Sequence, residues 1–133
     1  MTESPFATYR AILVDGDYSA AGFLQSFAMA MYAGAAFPMD ASGLRNLDDE
    51  HMKAFQEMAV WYRRHGEGDP DFVDVCKAIK ANRSAYARRI KARLDELLAS
   101  DPDLFEGGRH EHADSLRFYQ REHEANVERR WID

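Results

Sequence analysis

Lys77, Lys80, Arg83, Arg88, Arg89, Lys91 and Arg93 fall within one stretch of chain, residues 77–93, that contains no acid. Ammonium and guanidinium groups at that density bind anions, either phosphates or the carboxylates of another protein. The rest of the chain is acidic. Residues 1–76 hold twelve acids against five bases and residues 94–133 hold eleven against five, so the net charge is -6. At 100° per residue, Lys77, Lys80, Ser84, Arg88 and Lys91 lie along one side of a helix over roughly four turns. Phe72, Ile79, Tyr86, Ile90 and Leu97 share the opposite arc, flanked by Arg89 and Arg93. The stripe is either a solvated face that balances the acidic helices, a grip for an acidic protein surface, or a grip for nucleic-acid phosphates. No aromatic residue is interleaved on it, which disfavours base stacking. A pI near 5.3 argues against general wrapping of nucleic acid.

Other reactive residue types are sparse. His110-Glu111-His112 has the look of a metal motif, but helical residues two apart point about 200° away from each other. His112 and His123 share a face with Leu116 and Tyr119, yet sit about 16 Å apart along a helix and cannot share an ion. A site pairing Glu50, His51 or Glu57 with another helix would need the Glu-x-x-His spacing of bundle metal centres, and the sequence has none. Structural histidines and no metal or other cofactor are therefore expected. Cys76 stands at the border of the apolar arc, where a cysteine packs as a small hydrophobe; Lys77 and Lys80 would activate it only if it were exposed. No G-x-S-x-G, phosphate-binding glycine loop or H-E-x-x-H occurs, so an enzyme is not expected.

These side chains require helices to hold them, and the start and stop signals are helical. Ser4-Pro5 reads as an N-cap and first helical residue, followed by Phe6, Tyr9, Ile12 and Leu13 up to Gly16. An edge strand ending at Asp15-Gly16 is the alternative over residues 6–14. Residues 19–35 read as a helix apolar on nearly every side. In it Gly22, Ser26, Ala30 and Gly34 form a small-residue strip for close packing within the chain or for a homodimer seam. Residues 37–47 form a loop with a turn near Ser42–Leu44. Asn46 or Asp48 caps the next helix, which ends at Arg63-Arg64-His65-Gly66. Met52, Phe55, Met58, Ala59 and Tyr62 make its core face. Trp61 lies off that face, covered by the adjoining loop or offered to a partner. Asp69-Pro70-Asp71 opens a helix that runs to Ser100, about 45 Å if unbroken, with Asn82-Arg83-Ser84 as its weak point. Asp101-Pro102-Asp103 starts a turn that Gly107-Gly108 ends. A last helix spans about Arg109 to Arg130, with Leu116, Tyr119 and Val127 facing inward.

The 133 residues fit one domain with a sizeable core. Cys76 is the only cysteine, which excludes an internal disulfide and suits a reducing cytosol. No signal peptide is evident. The uncharged run 18–39 is diluted by Gly22, Gln25, Ser26, Gly34 and Pro38 and flanked by acids, unlike a membrane span. The expected fold is an all-α single-domain bundle of four to five helices, cytoplasmic.

Gly16-Asp17-Tyr18-Ser19, Phe23-Leu24, Ala33-Gly34, Phe37-Pro38-Met39-Asp40, Leu44-Arg45-Asn46-Leu47-Asp48 and His51-Met52 are arranged along residues 16–75. This segment resembles a family of uncharacterised small helical proteins carried on bacterial integrative elements and plasmids. The resemblance implies a bacterial cytosolic accessory protein, with a host-defence or plasmid-maintenance factor as the partner to expect. It assigns no residue a role. The residues themselves point to a non-enzymatic interaction protein that meets an acidic partner through Lys77, Lys80, Arg88 and Lys91, with Trp61 as an aromatic anchor. Sequence-tolerant nucleic-acid binding through the same stripe is the alternative.

Overall fold

A computed structural model describes residues 3–132. The fold is all-α: among the described residues there is no strand. The described residues form six α-helices, α1 (Pro5–Thr8), α2 (Arg10–Asp15), α3 (Ser19–Ala33), α4 (Asp49–His65), α5 (Pro70–Ala99) and α6 (Gly108–Glu128), with short 3-10 turns between some of them. Four of these are long. The sixth arises because the first helical segment is interrupted at Tyr9 (φ -100°, ψ 17°), which divides it into the short α1 and α2. None of the described helices is long and apolar enough to cross a membrane. The chain divides into two compact units, Met1–Asn82 and Arg83–Asp133. The boundary falls inside α5 at Asn82-Arg83, the point at which the sequence marks that helix as weakest, although the helix continues through it.

In the first unit the helix starts are set by local chemistry. Ser4 Oγ accepts from Phe6 N–H, Asp48 Oδ1 from His51 N–H at 2.9 Å, and Asp69 Oδ1 from Asp71 N–H at 2.9 Å. Each satisfies one of the amide donors that a helix N-terminus leaves without a partner. The segment 5–15 is helical, not an edge strand. α2 ends where Gly16 turns extended (φ -66°, ψ 131°), and a Cβ there would lie 2.5 Å from Ile12 O and from Ala21 Cβ, which leaves room only for glycine.

The core of this unit gathers around Phe72. Its ring packs against Phe6 at 4.8 Å between centroids, Tyr62 at 5.1 Å and Tyr32 at 6.0 Å. Leu13, Leu24, Met29, Met58, Val75 and Ile79 complete it. Burial of this much apolar surface is what offsets the conformational entropy of ordering the helices. On α4, Met58 is fully buried, whereas Met52, Phe55, Ala59 and Tyr62 are only half-buried. Gln25, polar within the apolar run, is buried and donates to Gly16 O at 2.8 Å. The small-residue strip does not bring backbones together at Gly22, where an added Cβ would meet nothing within 4 Å. Close approach occurs instead at Gly43, where a Cβ would run into the Phe23 ring.

The second unit has a thinner core: Ala87, Ile90, Leu94 and Leu97 from α5, and Trp131. Helix α6 turns a seam of His112, Leu116, Tyr119, His123 and Asn126 inward, a spacing of three and four residues. Tyr86 Oη donates to Glu122 at 3.3 Å across to α5, and His112 Nε2 lies 2.8 Å from Leu97 O. Val127, expected inside, is exposed. The seam reaches Asn126, and the next residue is rotated 100° away from it. After Glu128 the chain closes in a Schellman turn, in which Trp131 N–H donates to Asn126 O and Arg130 N–H to Val127 O. Arg130 takes the left-handed position at φ 67° that glycine ordinarily fills.

Candidate partner-binding surfaces

Lys77, Lys80, Arg88 and Lys91 are all exposed on α5. The periodicity that sets this is visible in the burial, since Phe72, Val75, Cys76, Ile79, Ile90, Leu94 and Leu97 occupy the covered side. Lys77 and Lys80 belong to the first unit, one turn apart, and Arg88 and Lys91 to the second. Lys80 Nζ stands 5.9 Å above the Phe37 ring. Lys91 pairs with Asp95 at 3.1 Å, so its charge is partly spent on its own helix. Arg93 pairs with Glu96 at 2.9 Å, which raises its pKa, while Arg89 lies over Tyr86. Lys77 and Arg88 have no ion-pair partner among the described residues. Ser84, expected in the stripe, is half-buried and contributes less to the open face.

Trp61 is held in place. Its indole N–H donates to Asp69 Oδ2 at 2.8 Å, and its ring stacks on His65 at 4.2 Å between centroids. Asp69 also accepts from Ser4 Oγ at 2.6 Å, so one buried carboxylate ties α4, the start of α1 and the start of α5 together. The adjoining connector thus covers one edge of Trp61. Another side of it lines a groove of about 540 Å³ between α1 and α4, with Pro5, Thr8, Glu57, Val60 and Arg64. None of the α5 bases lines this groove.

The remaining reactive groups are committed internally. Cys76 is fully buried, its Sγ 3.7 Å from Ala28 O, and burial pushes its thiol up to about 12. A thiol with that pKa holds almost no thiolate at neutral pH, which removes it as a nucleophile. His51 forms a chain that the sequence alone does not bring together. Its Nδ1 lies 2.7 Å from Asp48 Oδ1 and its Nε2 2.8 Å from Tyr18 Oη. The backbone and side chain of His51 both donate to Asp48, which holds that carboxyl below the ordinary carboxylate range. The signal was the spacing Asp48-x-x-His51, a cap residue followed by the residue whose N–H it accepts. His110 sits beside Asp114 at 3.3 Å. No three His, Cys, Asp or Glu side chains among the described residues gather as metal ligands. Near the groove, Tyr9 Oη donates to Glu57 at 2.5 Å, and that bond, with burial, raises the phenol to about 12.

No family model matches this chain, and no curated protein or solved structure gives a match. The geometry of its own residues is therefore what a functional reading rests on.

Proposed function

We propose that this protein is a non-enzymatic interaction protein that binds an acidic protein surface through the outward bases of α5. The observation that carries the reading is that Lys77, Lys80 and Arg88 are exposed within the acid-free stretch 77–93 and have no ion pair among the described residues. Charges left open this way steer an oppositely charged partner and fix its register. Lys91, neutralised in part by Asp95, contributes less. No aromatic residue is interleaved on the stripe to stack bases, so a carboxylate-rich protein is the better fit. In keeping with the mobile-element resemblance, the partner would be a cytoplasmic bacterial host-defence or plasmid-maintenance factor, with this chain as its inhibitor or regulator.

The test is anisotropy of a fluorescein-labelled polyglutamate peptide and of a labelled random-sequence DNA duplex at low and physiological salt. The peptide is expected to bind. The triple variant Lys77→Glu, Lys80→Glu, Arg88→Glu is expected to lose about tenfold or more in affinity, with its helical circular dichroism unchanged. Tighter binding of the duplex, falling steeply with salt, would replace this reading by nucleic-acid binding. Unchanged peptide affinity in the triple variant would remove the stripe from the interface.

A further inference from the structure

Asp48, His51 and Tyr18 form a chain that runs from a sheltered base to an open surface. Asp48 Oδ1 lies 2.7 Å from His51 Nδ1, and His51 Nε2 lies 2.8 Å from Tyr18 Oη. An ionised carboxylate only accepts, so Nδ1 carries the ring proton, Nε2 of the neutral ring is the acceptor, and the Tyr18 O–H donates to it. The two rings meet edge to face, 5.4 Å between centroids, which holds that alignment. His51 is 8% exposed and Tyr18 47%, so the base is covered while the phenol can be reached from solvent. Three other tyrosines donate to different acceptors, Tyr9 and Tyr86 to the carboxylates of Glu57 and Glu122, and Tyr62 to Met31 O. Carboxylates and peptide carbonyls are too weakly basic to remove a phenol proton near neutral pH, whereas an imidazole is suited to take one.

We propose that Tyr18 is an acyl-acceptor site, its Oη taking an acyl group from an activated ester or thioester while His51 Nε2 takes up the phenol proton. In that step the bond from Oη to the carbonyl carbon forms. The bond from that carbon to the leaving oxygen or sulfur breaks, and the leaving group departs with the electron pair. The proton on His51 Nε2 then passes to the leaving group or to water. Asp48 is the positioning residue, fixing the tautomer of His51 and stabilising the imidazolium once it forms. The class of donor follows from charge. Residues 15–18 and 45–53, which contain all three groups, hold five acids against two bases, so an uncharged acyl carbonyl is favoured over an anionic phosphoryl group. The inference goes beyond the α5 interaction reading and does not rest on it.

The probe is p-nitrophenyl acetate with the full chain, read by p-nitrophenolate release and by mass spectrometry of the acetylated peptides. Tyr18 is expected to be acetylated about a hundredfold faster than free N-acetyltyrosinamide, the scale of general-base assistance. His51→Gln is expected to remove that advantage. Asp48→Asn is expected to lower it about tenfold, because asparagine still caps α4 but no longer stabilises the imidazolium. A general loss of structure in either variant would raise the labelling of Tyr62, whereas loss of the base lowers Tyr18 alone, so the two are told apart. Tyr18 labelled no faster than the free amide, or equally fast in His51→Gln, would overturn the proposal. Acetylation confined to lysines would do the same. Release that continues past one equivalent with Tyr18 unmodified would replace acceptance by hydrolysis. Labelling of Tyr18 by phosphoramidate in place of the ester would overturn the acyl class.

Discussion

Ser4, Gln25, His51 and Asp69 are buried in the first unit, and each has a hydrogen-bond partner. In the second unit His123 Nδ1 and Asn126 Nδ2 are buried with none among the described residues. The apolar balance differs in the same direction. Both units leave large apolar side chains exposed, Tyr18 and Val60 in the first and Leu98, Leu104, Phe118 and Val127 in the second, but the large, fully buried ones gather around Phe72, with Leu97 alone in the second unit. A buried polar atom without a partner costs free energy that a satisfied one does not. The second unit is therefore the one that opens at lower free energy, and the first is the rigid platform for the groove.

Removing the first unit's polar hub is the harshest way to break this contrast. Asp69→Ala leaves Ser4 Oγ–H, Trp61 Nε1–H and Asp71 N–H without their acceptor, and a loss of about 2–4 kcal/mol is expected in urea denaturation. A loss below about 1 kcal/mol would mean that water replaces the carboxylate and that the hub does not set the platform's rigidity. The opposite sign is expected in the second unit. Asn126→Leu keeps the branching of the side chain while deleting the unpaired amide, and a gain of about 1 kcal/mol is expected from the same measurement. Destabilisation instead would show that Asn126 has a partner and that the two units are equally well satisfied. The smallest effect is at the chain's last turn. Arg130→Gly relieves a left-handed residue at φ 67° and should stabilise by about 0.5 kcal/mol, read as a small rise in melting temperature.

The features legible in the sequence are those decided within a few residues. Ser4, Asp48, Asp69 and Asp101 each cap a turn or helix as their spacing to the following residues implies. The outward bases and inward apolar residues of α5 follow from a single period, and the structure keeps both. What was not legible depends on which element lies opposite. Hydrophobicity favoured Val127 as the inward residue of α6, but the register of the seam buries Asn126. The four-residue repeat of small residues suggested contact at Gly22, while the tight contact belongs to Gly43 and an aromatic ring twenty residues earlier in the chain. The groove joins residues some fifty positions apart, and Trp61 reveals its place there only through Asp69.

The chain has two tryptophans, and they divide evenly: Trp61 in the first unit and Trp131 in the second. Their settings differ, one indole hydrogen-bonded to a carboxylate and half-buried, the other buried beside the closing turn of α6. Replacing either by phenylalanine leaves a single tryptophan, whose emission reports on one unit alone. The molecule thus comes with an optical label in each unit, and loosening of the second can be watched while the first stays dark.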